Sequence, residues 1–239
     1  MNRSHLLNAA LVGGGIAAGG LLLAERARSR ARFSRLHRAT VEMLLNALTA
    51  DDESTARHSR RVADLTDALA ERLPMSAKQR ATLRVAALLH DMGKVDDRFF
   101  DIVHGRESLS EEERDEIERH PHESASILEP LEWLHAGLSS TVASHHERWD
   151  GRGYPQGLSG QEIPLGSRLI AIADVFDALT QSRSYRDPMS PAEALEEVRR
   201  CAGQQFDPML VRLLDRPAVA ERWREIVERG RREEAAQPS

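Results

Sequence analysis

A run of five apolar residues, Val85 to Leu89, leads directly into His90 and Asp91, and Lys94 follows three residues later. An apolar run of this kind favours a buried helix, and charged side chains are rarely buried unless they are paired or bind a metal ion. The sequence therefore predicts a buried helix that ends at a metal site containing His90 and Asp91.

More imidazoles and carboxylates occur downstream in positions that suit the same site. They are His120, the adjacent pair His145 and His146, and the carboxylates Asp174 and Asp177. The stretch 169–179 is apolar almost all round, which is typical of a buried helix, and residues three positions apart share a face of it. Neutral imidazole and carboxylate suit iron or manganese. An alternative is that the two carboxylates form buried salt bridges with Arg183 and Arg186.

Two further histidine contexts bear on this site. The pair His145-His146 leads into a segment with two glycines and a proline, 151–155, which specifies a tight and irregular loop. His58 lies at the start of a segment whose apolar residues recur at helical spacing, and taken alone it is a weak ligand candidate.

The composition fits one all-α domain with appendages. The chain has 239 residues, 41% of them apolar, and no stretch alternates apolar and polar residues for long enough to predict a sheet. Capping boxes at Ser76, Ser110 and Ser190 predict three helix starts. We predict an apolar N-terminal segment and stalk over 1–40, the all-α domain over 41–215, and a C-terminal helix and tail over 216–239, with the helix ending near Gly230.

Charge and cysteine content exclude some partners and linkages. The net charge of −5 gives no sign of a nucleic-acid partner, and the single cysteine, Cys201, excludes an intrachain disulfide. The sequence leaves a homodimer open.

The N-terminal segment predicts a membrane anchor. Residues Leu6 to Ala24 contain no Asp, Glu, Lys or Arg, and as a helix they would be about 28 Å long, close to the thickness of a bilayer core. Several arginines follow, so the positive-inside rule predicts a single-pass protein of the inner membrane with its main domain in the cytoplasm. The alternatives are a cleaved signal peptide, or no targeting role and a cytoplasmic protein.

In this order, the motifs resemble those of the HD-GYP family, cyclic di-GMP phosphodiesterases within the HD superfamily of metal-dependent phosphohydrolases. The resemblance covers roughly residues 41–215, and its most specific part is the block from His145 to Pro155, which contains Gly153-Tyr154-Pro155 intact. The other matching segments are Arg57-His58-Ser59 with Arg61-Val62, Leu89-His90-Asp91-Met92-Gly93-Lys94, Arg119-His120-Pro121, Asp174-Val175-Phe176-Asp177, Arg183-Ser184-Tyr185-Arg186 and Phe206-Asp207-Pro208.

The resemblance implies an HD-domain helical bundle and a role for each site residue. One divalent ion is expected at His58, His90, Asp91 and Asp174, and a second at Asp91, His120, His145 and His146. Asp91 and Lys94 are the expected catalytic residues, and Lys94, Asp177, Arg183 and Arg186 are expected to contact the substrate.

The expected reaction opens cyclic di-GMP to linear pGpG, with onward hydrolysis to GMP left open. Family members that bind three ions have a Glu where this chain has Ser54, so we expect two ions, of iron or manganese. The segment 95–100 departs from the family pattern, which keeps two alternatives open. They are a phosphohydrolase of the same superfamily that acts on another nucleotide, and a non-catalytic protein that binds cyclic di-GMP.

Overall fold

The structure is a computed structural model that describes residues 25, 28, 29, 32, 35, 39, 41–46, 53–94, 110–181 and 187–235. Within these residues the regular structure is helical, and an isolated bridge between Ala202 and Phe206 is the only pairing of β type. The predicted all-α class is therefore confirmed.

The chain divides into two compact units, Met1–Ala47 and Leu48–Ser239. In the first unit, the residues that the structure describes are helical, and Val41 and Leu45 are buried. The apolar N-terminal helix predicted for residues 6–24 lies outside the described residues.

The predicted location in the inner membrane requires correction. A bilayer core needs about 20 predominantly apolar residues in one helix. Of the helices that the structure describes, none combines the length and the apolar character that a membrane crossing requires. Among them, the apolar helix Leu165–Thr180 is too short, and the longer helix Pro217–Ala235 is rich in Arg and Glu. The single-pass assignment is therefore withdrawn.

The described part of the second unit contains eight α-helices. They are α1 (Glu53–Ala70), α2 (Ala77–Leu89), α3 (Glu111–Leu128), α4 (Leu138–Ala143), α5 (Leu165–Thr180), α6 (Pro191–Arg200), α7 (Pro208–Val211) and α8 (Pro217–Ala235). Four short 3₁₀ helices connect them, at Met92–Lys94, Glu129–Leu131, Gly160–Glu162 and Arg212–Asp215.

The helix starts follow from local sequence. The hydroxyl of Ser76 accepts a hydrogen bond from the backbone of Gln79, and the Gln79 side chain accepts one from the backbone of Ser76. Ser190 and Glu193 form the same reciprocal pair at the start of α6. Two of the three predicted capping boxes are therefore confirmed, and each satisfies two backbone donors that the first helical turn leaves unpaired. The third predicted start is confirmed as a helix, since α3 begins at Glu111, directly after Ser110.

Helix α5 lies in the core, as its apolar sequence predicts. Its residues Leu169, Ile170, Ile172 and Phe176 are completely buried. Helix α1 packs against α2, α5 and α8, while α3 packs against α4 and against the 3₁₀ turn after α2. These contacts allow side chains from distant parts of the sequence to meet.

The C-terminal helix is longer and more tightly packed than the sequence suggested. We predicted its end near Gly230, but α8 continues to Ala235. Its Trp223 is fully buried, donates a hydrogen bond to the Leu65 carbonyl at 3.0 Å, and has its ring centroid 4.5 Å from that of Phe176. Helix α8 is thus part of the same hydrophobic core as α1 and α5.

Replacing Trp223 by alanine should lower the free energy of unfolding by about 3–5 kcal/mol, since it leaves a large cavity in the core. Urea denaturation measures the change. Trp133 is the matched control because 79% of it is exposed, so Trp133→Ala should change stability by no more than about 0.5 kcal/mol. Equal effects of the two substitutions would contradict the packing role of α8.

Candidate metal centre

The turn after α2 brings Asp91 against helix α3. His90 ends α2, and the 3₁₀ turn Met92–Lys94 follows at once. A Cβ atom on Gly93 would lie 2.6 Å from the carbonyl oxygen of His120, so only glycine allows the two backbones to approach this closely. The Gly93 amide also donates to the hydroxyl of Ser124 at 2.8 Å. The local sequence thereby fixes Asp91 beside His120.

Asp91 lies between two groups of potential ligands. Its Oδ2 is 3.4 Å from Nε2 of His90 and 3.9 Å from Nε2 of His58. Its Oδ1 is 3.3 Å from Nε2 of His120 and 3.7 Å from Nε2 of His145. One carboxylate oxygen therefore faces each group, which is the arrangement that a bridging ligand requires.

The first group consists of His58, His90 and Asp174, whose ligand atoms all lie within 4.8 Å of one another. Oδ1 of Asp174 is 3.3 Å from Nε2 of His58 and 4.0 Å from Nε2 of His90. Nε2 of His90 is buried and has no hydrogen-bond partner in the described part of the chain. An orphaned buried nitrogen costs free energy, and a cation at this point would remove that cost.

The second group consists of Asp91, His120, His145 and His146, whose ligand atoms also lie within 4.8 Å of one another. Nε2 of His120 is 3.4 Å from Nε2 of His145 and 3.1 Å from Nε2 of His146. This second site contains only nitrogen and oxygen donors, a set that suits iron or manganese. They come from the turn after α2, from the middle of α3 and from the segment after α4.

Three of the imidazoles are held in the tautomer that a metal ion needs. Nδ1 of His90 donates to the Ala87 carbonyl at 2.9 Å, and His120 and His145 donate in the same way to the carbonyls three residues earlier, at 2.5 and 2.6 Å. Each Nε2 is then an unprotonated acceptor. Two such lone pairs face each other between His120 and His145, so neither nitrogen can satisfy the other. A shared cation satisfies both, and the residues present therefore fit two metal ions.

The electrostatic environment keeps most ligands in their binding form. Burial lowers the pKa of His120 to about 4, and burial also lowers the pKa values of His145 and His146. Burial opposes the ionisation of Asp91, but the ammonium of Lys94 beside it and the surrounding polar imidazoles keep the pKa of Asp91 well below its usual range. Neutral imidazoles around an ionised carboxylate are the protonation states of metal ligands.

His58 is the exception in the metal-free protein. Burial disfavours its charged form, but hydrogen bonds to Asp174 and Asp177 outweigh burial and raise the pKa of His58 to about 10. Its Nε2 proton therefore occupies the position that a metal ion would take, while its Nδ1 donates to Oδ2 of Asp177 at 2.8 Å.

Asp177 lies behind His58, on the side away from the metal ligand atoms, and is not exposed to solvent, where a substrate contact would have to be. Its side chain is completely buried. Arg61 donates to both of its oxygens, from Nε at 2.7 Å and from NH2 at 3.0 Å. The alternative of buried salt bridges thus holds for Asp177, but with Arg61 as the partner. The motif that contains His58 also includes Arg61, but sequence reasoning assigned Arg61 no role; its signal was its position three residues after His58 on the same helix.

The loop after His146 folds back on this ligand. A Cβ on Gly153 would lie 2.4 Å from the Arg148 amide and 2.6 Å from the His146 carbonyl oxygen, so the close return of the chain requires glycine. The ring of Tyr154 then lies on His146, with the centroids 4.9 Å apart. Glu147 is buried and accepts hydrogen bonds from the amides of Gln156 and Leu158 at 2.7 and 3.1 Å. The predicted irregular loop therefore orients a ligand.

The remaining predicted site residues fall into two sets. Lys94 is at the centre, with its ammonium 2.8 Å from the Asp91 carboxylate and 29% of its side chain exposed. Arg183 and Arg186, and the segment 95–100, lie outside the described residues. Asp207, in the matching segment Phe206-Asp207-Pro208, caps α7 and binds Arg168 at 2.7 Å, which is a structural role.

Comparisons with known proteins agree with this fold. A family model described as HD domain matches residues 42–210. The crystal structure of a cyclic GMP-AMP-specific phosphodiesterase of V. cholerae superposes with a TM-score of 0.56 at 23% identity, covering 80% of this chain and 53% of the other. A protein of Bdellovibrio bacteriovorus has the same TM-score at 21% identity, covering 77% and 57%. These structures share the fold.

Curated relatives are more similar in sequence. A 3'3'-cGAMP-specific phosphodiesterase of Vibrio cholerae is 39% identical over 171 residues, covering 69% of this chain and 39% of the relative. A cyclic di-GMP phosphodiesterase of Thermotoga maritima is 37% identical over 175 residues, covering 70% and 46%. A cyclic di-GMP phosphodiesterase response regulator of Xanthomonas campestris is 35% identical over 176 residues, covering 73% and 46%. The chain spans less than half the length of each relative.

Metal uptake at pH 7 should release about one proton per chain. With a pKa of about 10, His58 is protonated at pH 7 and must lose a proton before it can bind a metal ion. The apparent metal affinity should therefore rise with pH below about 10. Calorimetric titration of the chelator-treated protein with Mn²⁺, in two buffers of different ionisation enthalpy, measures the released protons. The variant His58→Gln should release none, and an unchanged proton count in this variant would contradict the assignment.

Replacing Gly153 by alanine should displace the loop from His146, because the added Cβ meets the backbone of three residues. We expect weaker binding at the site of His120, His145 and His146, by about 10- to 100-fold, as for other changes that disturb ligand orientation. Mn²⁺ titration measures the affinity. Arg152→Ala, at an exposed position one residue earlier, is the control. Wild-type affinity in Gly153→Ala would show that the loop does not orient His146.

Proposed function

Since this chain belongs to the HD domain family, we propose that it is a metal-dependent phosphodiesterase that hydrolyses a cyclic dinucleotide. The observation that supports this most strongly is the position of Asp91, with one carboxylate oxygen toward each of two ligand groups. Two ions held in this way would stabilise the negative charge that develops when water displaces one ester oxygen from phosphorus in line.

The protein side chains supply binding and orientation in this reaction. Asp91 holds the two sites at a fixed separation, and the backbone bonds of His90, His120 and His145 keep their Nε2 atoms directed inward. Lys94 is half-buried beside Asp91, and we assign it to a phosphate oxygen of the substrate, to which its compact ammonium can donate.

We propose cyclic di-GMP as the substrate and linear pGpG as the product. The similarity to relatives named as cyclic di-GMP phosphodiesterases in three organisms supports this choice. Arg183 and Arg186 remain our proposed substrate contacts, since guanidinium groups suit both phosphate oxygens and guanine edges.

A second candidate substrate is 3'3'-cGAMP. Three relatives from Vibrio cholerae are named for this nucleotide, at 36, 39 and 40% identity. Both nucleotides contain the same phosphodiester chemistry and differ in one base, so the metal centre can serve either. Direct competition between the two substrates will distinguish them.

The test is hydrolysis by the full chain, purified without oxygen and loaded with Fe²⁺ or Mn²⁺, with product identification by mass spectrometry. We expect pGpG from cyclic di-GMP, and a lower kcat/KM for 3'3'-cGAMP if the first assignment holds. Asp91→Asn should bind neither ion firmly and lose turnover, because an amide cannot bridge two cations as a carboxylate does.

Asp215→Asn is the matched control, since it makes the same change at an exposed ion pair with Arg199. It should keep wild-type turnover. Tight binding of cyclic di-GMP without hydrolysis by the metal-loaded protein would contradict the proposed enzyme and favour a binding protein. Full turnover by Asp91→Asn would contradict the bridging role of this residue.

A further inference from the structure

We propose that the C-terminal helix α8 sets the metal affinity of the site formed by His58, His90 and Asp174, by holding the positioning residue Arg61 against Asp177. The proposal deepens the proposed function, on which it rests only in assuming that this site binds a divalent ion. Helix α8 begins at Pro217, beyond the segment 42–210 that the HD domain family model matches.

The first step is the contact between α8 and the stem of Arg61. Gly230 is buried, and a Cβ at this position would lie 2.8 Å from Cδ of Arg61 and 3.8 Å from its Cγ. The helix therefore passes directly over the side chain and leaves room for it only because residue 230 is glycine. Arg61 is 7% exposed, so it is confined between α8 and the core.

The second step is the use of the whole guanidinium group. Nε and NH2 of Arg61 donate to the two oxygens of Asp177, and NH1 lies 3.3 Å from Oε1 of Glu234, one turn beyond Gly230. A planar guanidinium is well suited to such a bidentate pair with a third donor directed elsewhere. The α8 carboxylate thus fixes one edge of Arg61 while Asp177 takes the other.

The third step reaches the metal site. Oδ2 of Asp177 accepts the Nδ1 hydrogen of His58, whose Nε2 is 3.3 Å from Asp174. A carboxylate behind a histidine ligand fixes both the tautomer and the plane of the ring. Arg61 in turn decides where that carboxylate lies. Without Arg61, Asp177 would be a buried charge with His58 as its remaining partner and would be free to turn away from it.

Helix α8 is itself anchored to the elements that present these residues. Trp223 bonds the Leu65 carbonyl of α1. Arg231 donates from NH2 to the carbonyl oxygens of Thr180, the last residue of α5, and Met189, both at 2.9 Å. The helix is consequently fixed to α1, which provides His58 and Arg61, and to α5, which provides Asp174 and Asp177. A displacement of α8 would therefore move Arg61 and Asp177 and change the geometry of the site formed by His58, His90 and Asp174.

The test is Mn²⁺ titration of the chelator-treated full chain, without nucleotide, with free and bound Mn²⁺ distinguished by electron paramagnetic resonance. In Gly230→Leu the longer side chain should displace Arg61, and in Arg61→Lys one ammonium cannot make the three bonds. Both should weaken one of the two sites by about 10- to 100-fold and leave the other unchanged.

Reference variants identify which site is affected. His90→Gln should abolish the same site that Gly230→Leu weakens, whereas His146→Gln should abolish the other. Glu234→Gln should weaken the first site in the same sense, and Glu228→Gln, the same change at an exposed position of α8, should have no effect. Circular dichroism at the titration temperature establishes that each variant is folded, and Glu234→Gln decides the question if Gly230→Leu does not fold.

Wild-type affinity at both sites in Arg61→Lys would overturn the proposal, and so would equal weakening of both sites, which a general loss of stability would produce. Because no nucleotide is present, these outcomes are independent of the proposed phosphodiesterase activity. A chain that binds two Mn²⁺ ions with the expected variant pattern, yet hydrolyses no cyclic dinucleotide, would support the inference and contradict the proposed function.

Discussion

The buried carboxylate of Asp91 imposes the strongest constraint on this structure. A carboxylate removed from water is costly unless positive charge and hydrogen-bond donors surround it. Lys94 provides one cation at 2.8 Å, but three of the nearby imidazoles have Nδ1 bonded to backbone carbonyls and so turn lone pairs toward the same space. Electron pairs gathered around an anion repel one another. Metal ions held by these side chains would remove that repulsion, and the helices leave the ligand atoms close enough together to hold them.

Close backbone approach is the means by which the helices meet this constraint. Gly93 lets the turn after α2 touch α3 at His120, and Gly153 lets the loop touch the backbone of His146. In both places the glycine adjoins a ligand and is needed because a Cβ would strike backbone, which cannot move aside as a side chain can. The motif glycines therefore allow the backbones to pack closely, and this packing positions the histidine ligands. A sequence match that kept the ligands and lost these glycines would not build the same centre.

Much of the centre could be predicted from the sequence. Ionisable residues within apolar segments, such as His90, Asp91 and Asp174, have few stable alternatives to a shared site, whereas the full ligand set, His58 included, was predicted from the resemblance to the HD-GYP family. All seven predicted ligands come together, and the buried helix α5 and the capped starts of α2 and α6 are as expected. The partner of Asp177 could not be predicted, since several arginines were available and only the packing of α1 selects Arg61. The sequence predicts a helix end near Gly230, but this residue lies inside α8, where the absence of a side chain leaves space for Arg61. The supposed membrane span gained no support from the described helices.

The metal centre determines the class of reaction more firmly than the identity of the substrate. Ions bound there would contact phosphate oxygens, and cyclic di-GMP and 3'3'-cGAMP present the same kind of phosphodiester groups. Discrimination between guanine and adenine requires donors and acceptors that match the base edge, because a site built for one pattern leaves buried groups unpaired with the other. None of the seven ligands can serve in this way while it binds an ion. A choice between cyclic di-GMP and 3'3'-cGAMP would therefore depend on residues around the centre.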